Sequence, residues 1–201
     1  MDGMKPFPFA YPKAPLTRRH GPVYKNSWES YRDWLRDEFE FRCVYCLRRE
    51  RWIGRFANFD IDHIVPRANG GAALDYGNLA YACHRCNLAK SDEPVPHPEN
   101  IAYGDCVEVD DEGNIRWLNR AGRLLVRSVR LDETDITARR KDLLKYFRYL
   151  FGDDSELFCE RMSDPDDLKD LRDKKPDKNS KPDSWRTSAH ARKAKAERTR
   201  K

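Results

Sequence analysis

Two Cys-x-x-Cys pairs, Cys43/Cys46 and Cys83/Cys86, constrain this chain more than any other feature. Four thiolates can close a tetrahedral Zn²⁺ site, and such a site draws two distant stretches of chain to one point. The 36 residues between the pairs, 47–82, exceed the loop of a simple zinc ribbon and must carry structure of their own. They contain Asp62-His63-Ile64-Val65-Pro66. The cysteines therefore predict a clamp, and the Asp-His pair predicts the chemistry that the clamp holds in place.

A chain of 201 residues sets a prior of one domain with tails. With 39% hydrophobic and 36% charged residues it can build only a modest core, so a bound metal is expected to supply part of the folding free energy. The net charge of +5 is unevenly placed: residues 172–201 carry +8 and the rest sum to −3. The basic character is thus a property of the tail, compatible with a phosphate-rich partner. Four of the six cysteines fall in the two pairs, which favours metal binding in a reducing compartment over a disulfide framework. The N-terminus has no apolar stretch of the signal-peptide kind, and no run approaches the roughly 20 residues of a membrane span. A cytoplasmic chain that meets no membrane is the expectation.

Along the chain, prolines 6, 8, 12 and 15 predict an extended arm over residues 1–22. That arm lies on the domain surface or, through Lys5, Lys13, Arg18 and Arg19, follows a nucleic-acid backbone. Ser27 can cap a helix running to about Phe41 with Trp28, Tyr31, Trp34, Leu35 and Phe39 along one stripe. Arg48, Arg49, Arg51 and Arg55 follow, on a segment expected to return as a strand near Trp52-Ile53. Phe59 to Val65 alternates as a strand, with Asp60 and Asp62 on one face; His63 falls by parity beside Phe59 and Ile61 unless the strand bulges, and the sequence leaves both open. Pro66 ends it, Gly70-Gly71 permit positive φ in a loop, and Asn78 to Ala82 reads as the returning strand. A helix follows from about Arg85 to Ser91. Residues 105–131 suggest a small β-meander, and Thr134 or Asp135 opens a helix ending at Gly152. The composition beyond Ser163 predicts a disordered basic tail. The implied divisions are 1–22 arm, 23–100 core, 101–162 meander and helix, and 163–201 tail.

Asp62-His63-Ile64-Val65-Pro66, Gly70-Gly71, Asn78-Leu79 and Cys83-x-x-Cys86-Asn87-x-x-Lys90, in that order, resemble the HNH endonucleases, the zinc-clamped branch of the ββα-metal nucleases. The resemblance covers about residues 41–91, in an H-N-N version, since Asn87 stands where a histidine is often found. It implies an α+β fold with a ββα-metal core, a structural zinc on Cys43, Cys46, Cys83 and Cys86, and metal-dependent hydrolysis of a nucleic acid, DNA first. It further implies that His63 activates water, that Asp62 and Asn87 hold one Mg²⁺ or Mn²⁺, and that Asn78 braces the loop orienting His63.

These residue types suit the reaction. Phosphodiester hydrolysis needs a base for water, a charge to position the phosphate, and stabilisation of the leaving oxygen; histidine and a hard divalent cation supply these. Lys90, one turn beyond Asn87, is placed to meet phosphate, as is Arg67 in the loop. Asp60 is a spare carboxylate, His84 an exposed residue between two ligands, and Arg139-Arg140-Lys141 a solvated face that could touch DNA. Cys106 and Cys159 read as buried small hydrophobes. A non-catalytic zinc module binding nucleic acid within a larger assembly accounts for the same cysteines but has no need of His63. A protein partner supplying specificity fits either case, and oligomeric state is not legible.

Overall fold

The computed structural model describes residues 7–53 and 58–199. Lys5 and Arg55, and the first residues of the arm, lie outside them. Helices and short strands mix throughout. Among the described residues the strands form three antiparallel pairs, β1 (Pro22–Val23) with β6 (Lys178–Asn179), β2 (Phe59–His63) with β3 (Leu79–Cys83), and β4 (Val107–Val109) with β5 (Ile115–Trp117).

The arm is a strap. Phe9 and Tyr11 are buried, Phe9 packs edge-on to Trp52 at 5.6 Å, and the Tyr11 hydroxyl donates to the Tyr45 carbonyl at 2.6 Å. Arg18 is committed to Glu99 and to the carbonyls of Gly77 and Leu79. Arg19 is committed to Asp37 and Glu38. These two arginines are therefore occupied within the fold.

A 3-10 turn at Trp28–Tyr31 leads into α1 (Arg32–Glu38). Tyr31, Trp34 and Leu35 on its apolar stripe enter the core, as the helical spacing predicts. Glu40 and Phe41 adopt left-handed φ and reverse the chain into the first cysteine pair. The expected strand near Trp52 is instead a single helical turn, α2 (Glu50–Ile53). Its first residue, Glu50, is buried and accepts from Arg36 Nε at 2.9 Å and Nη2 at 2.8 Å, together with the Tyr81 hydroxyl at 2.8 Å. That local charge network, invisible to periodicity, fixes the turn.

β2 and β3 pair in regular register from Phe59↔Cys83 to His63↔Leu79, and α3 (His84–Lys90) follows β3 without a break. Asp60 and Asp62 oppose Ala82 and Ala80, whose small side chains let α3 pack against that face of the hairpin. Phe59, Ile61 and Tyr81 point the other way, into the core under α1, with Phe59 stacked on Tyr81 at 4.8 Å.

The meander expected at 105–131 is a hairpin followed by a helix. Asp110 caps the hairpin turn, accepting from Glu112 and Asn114. The third strand is replaced by α4 (Arg120–Val129), which Asn119 opens by accepting from the Gly122 amide at 2.9 Å. Leu125, Val126 and Val129 are its buried face. The apolar run from Leu124 to Leu131, rich in valine and leucine, is compatible with either structure. The cap and the packing of Gly122 decide it: a Cβ there would lie 1.9 Å from the Cys106 carbonyl oxygen. α5 (Thr134–Asp153) and α6 (Ser155–Met162) close this half, with a small cluster of Phe147, Leu150 and Phe158 between them.

The tail is not the disordered segment its composition predicts. β6 pairs with β1, Leu171 is buried, and Trp185 lies between the Arg172 and Arg186 guanidinium groups. His20 bonds Ser184 at 2.9 Å and Asp37 at 2.7 Å, and Asp37 also accepts from the Ala189 amide at the start of α7 (Ala189–Thr199). A few anchors, Leu171, Trp185 and Ala189, hold a stretch whose average hydrophobicity is low. Among the described residues no helix is long and apolar enough to cross a membrane.

Candidate functional site

The four cysteines meet as the spacing requires. The Sγ atoms of Cys43, Cys46, Cys83 and Cys86 lie within 4.8 Å of one another, all buried, and form a group that could hold a metal ion. The first pair sits in a tight turn closed by Leu47 N to Cys43 O at 3.0 Å and Cys43 N to Arg48 O at 2.8 Å, with Leu47 at left-handed φ. Val44 N donates to Tyr81 O at 2.9 Å, which docks that turn on β3. The second pair spans the junction of β3 and α3, so the cysteines fix the helix against the hairpin. Burial pushes the Cys43 thiol up, while hydrogen bonds from Cys43, Cys83 and Cys86 pull the Cys46 thiol down.

On the core side of β2 stands His63, half-buried, its ring edge-on to Trp28 at 5.8 Å. Its Nε2 lies 3.1 Å from the Ala73 carbonyl oxygen. A carbonyl only accepts, so Nε2 carries the proton and Nδ1 of the neutral ring keeps its lone pair. Asn78 holds the loop that supplies that carbonyl. Its Nδ2 donates to Val65 O and Ala72 O, both at 3.1 Å, and its Oδ1 accepts from Val65 N at 2.8 Å. The two glycines serve this loop differently. Gly70 takes φ +83, whereas Gly71 is needed for close approach, since a Cβ there would lie 1.8 Å from Val65 O and 2.9 Å from Asn78 Nδ2.

On the α3 side the carboxylates divide. Asp60 Oδ2 accepts from Asn87 Nδ2 at 3.0 Å and lies 2.8 Å from His84 Nδ1. Asp62, only 4% exposed, takes the Tyr45 hydroxyl on Oδ2 and Lys90 Nζ on Oδ1 at 3.1 Å. Burial holds the Asp62 carboxyl above its ordinary range, against the pull of Lys90 and Tyr45. Burial and the Asp62 charge push the Tyr45 phenol well up, so it remains a donor.

Several sequence expectations change here. Lys90 is fully buried, bonded to Asp62 and to the His63 carbonyl at 2.8 Å, and does not reach out to phosphate. One helical turn beyond Asn87 points it back into the hairpin rather than outward. Arg140 likewise is buried, holding the carbonyls of Gly113 and Leu131 at 2.7 and 2.8 Å, while Lys141 pairs with Glu112 at 2.7 Å. Asn87 meets Asp60 rather than Asp62. Arg67 stays exposed, with no carboxylate in ion-pair range among the described residues. His84 is exposed as expected, and Cys106 is buried while Cys159 is exposed. Tyr45 carried no signal in sequence, since its part depends on the docking of the first turn onto β2 and β3.

Residues 43–93 match the family model for the HNH endonucleases. Two relatives named CRISPR-associated endonuclease Cas9 share this stretch. The protein of Corynebacterium diphtheriae is 49% identical over 53 residues, which cover 26% of this chain and 4% of that one. The protein of Actinomyces naeslundii is 40% identical over 58 residues, covering 29% and 5%. The likeness is thus confined to the HNH domain and touches about a twentieth of either relative's length.

Proposed function

We propose that this chain is a metal-dependent endonuclease with a ββα-metal core, hydrolysing phosphodiester bonds in nucleic acid, DNA first, with His63 Nδ1 as the general base. The observation that carries this reading is the His63–Ala73 bond, braced by Asn78. It fixes the tautomer and leaves a lone pair at a half-exposed position on the strand end.

The clamp fits zinc. A tetrahedron with Zn–S bonds of about 2.3 Å has sulfurs about 3.8 Å apart, and Cys46 and Cys83 stand at 3.7 Å. For the hard divalent ion, Asp62 and Asn87 would be the ligands, with Asp60 beside them. Asn87 is available, since it uses its Nδ2 on Asp60 and among the described residues its Oδ1 has no donor, whereas Asp62 would have to give up the Tyr45 hydroxyl or Lys90 to take the ion. Mg²⁺ or Mn²⁺ bound there would neutralise phosphate charge and stabilise the leaving oxygen. Lys90 is then a positioning residue, holding the Asp62 carboxylate and the His63 backbone together. Exposed Arg67 is the candidate phosphate contact.

One observation favours a non-catalytic zinc module instead: Asp62 is already satisfied by Tyr45 and Lys90. Cleavage decides between the two. The purified protein incubated with supercoiled plasmid and Mg²⁺ or Mn²⁺ is expected to nick it, and EDTA to stop the reaction. Intact zinc and fold without cleavage of plasmid, single-stranded DNA or RNA would favour the binding module. A second expected result concerns the brace. Asn78→Ala, freeing the Val65–Ala73 loop, should lower the cleavage rate by about 10²-fold, the scale of a 1 Å misplacement, with zinc content unchanged.

A further inference from the structure

The structure leaves one strongly basic, partly aromatic surface outside the site just described. α4 presents Arg120, Arg123 and Arg127 at helical spacing on the face opposite its buried Leu125, Val126 and Val129, all three exposed. Among the described residues none of the three has a carboxylate in ion-pair range, unlike Arg116, which pairs with Glu108 at 2.8 Å, or Arg130, which lies near Glu133. Next to this row stands Trp117, 54% exposed at the end of β5, with the Arg123 guanidinium 5.9 Å from its ring centre.

α4 packs on α3, the helix that carries Asn87. Arg85 of α3 ties them together, donating to the Val129 and Arg130 carbonyls at 2.6 and 2.8 Å. The basic row is therefore rigidly joined to the HNH hairpin.

We infer that this face of α4 and β5 holds an unpaired segment of the nucleic-acid substrate, with Arg120, Arg123 and Arg127 on its phosphates and Trp117 stacked on a base. Three cations with no carboxylate in ion-pair range among the described residues suit a polyanion. An exposed indole suits a base whose face is free, which a duplex does not offer. The inference rests on the nucleic-acid part of the function proposed above, and it is testable without cleavage.

The test is fluorescence anisotropy on the full-length, zinc-loaded chain without added divalent ion. The probes are a labelled oligodeoxythymidylate of about 20 nucleotides, longer than the roughly 4–16-nucleotide footprints of single-strand-binding folds, and a labelled hairpin duplex. The variants are Trp117→Ala and the combined Arg120→Gln, Arg123→Gln and Arg127→Gln, all at exposed positions. Circular dichroism melting confirms that each is folded. Loss of three phosphate contacts should flatten the plot of log affinity against log salt by about 2, at roughly 0.7 per phosphate for a single strand. Trp117→Ala should weaken oligothymidylate binding roughly 5- to 150-fold, the range for losing one stacked base, and change duplex binding far less. An unchanged salt slope in the triple variant, or equal losses on both probes for Trp117→Ala, would overturn the assignment. Normal His63-dependent cleavage with an unchanged slope would overturn this surface alone. A flattened slope in a protein that cuts nothing would uphold it and overturn the nuclease.

Discussion

Replacing His63 by alanine should lower the rate of phosphodiester cleavage by about 10²–10⁴-fold, the usual contribution of a positioned general base. At 1.4 kcal/mol per tenfold, this is about 3–5.5 kcal/mol of barrier. The loss should fall on the catalytic rate and leave nucleic-acid affinity nearly unchanged, because the proposed role of His63 is to take a proton from water and not to hold a phosphate. Folding should survive. His63 is half-buried, and among the described residues its ring makes a single hydrogen bond, to Ala73, in a loop that Asn78 holds independently through Val65 and Ala72. Burst and single-turnover kinetics on a labelled substrate would separate the chemical step from binding and release.

The second large effect is removal of the clamp. Cys86→Ser, or zinc extraction by a strong chelator, should unfold residues 43–90. Structural zinc sites in small modules bind with about 10–16 kcal/mol of apparent free energy, comparable to the whole stability of a domain, about 5–15 kcal/mol. The reason lies in what the cysteines join. The first pair carries Tyr45, which donates to Asp62, and Val44, which docks on Tyr81; the second pair seats α3 and Lys90. Without the ion the hairpin loses its helix, and Asp62 loses both donors. Zinc analysis should give one ion per chain in the parent and a fraction of that in Cys86→Ser, with a parallel loss of near-ultraviolet circular dichroism. A variant that keeps its tertiary signal without zinc would show that the apolar core alone suffices.

Much of the HNH hairpin was legible because its signals are local. The cysteine pairs give the clamp, alternation gives β2, Pro66 and the glycines give the loop, and parity sends Asp60 and Asp62 to one face. Misread positions depend on distant partners. Lys90 reads as a phosphate contact until Asp62 is seen beneath it. Arg140 reads as a free cation until the Gly113 and Leu131 carbonyls close around it. The leucine and valine run from Leu124 to Leu131 suits a strand as well as a helix, and it is the Asn119 cap and the close packing of Gly122 that make it α4. In the tail, Trp185 and Leu171 are too sparse to move an average, yet each finds a surface prepared by the N-terminal strap and α1. Tertiary context overrides propensity in each of these cases.

The central claim is that His63 acts as the base of a metal-dependent nuclease, and the most direct measurement compares the parent with His63→Ala at matched zinc content. Both are incubated with supercoiled plasmid in Mg²⁺ or Mn²⁺, beside an EDTA control. The account predicts metal-dependent nicking by the parent and at least a hundredfold slower nicking by the variant. Equal rates in the two proteins would contradict it.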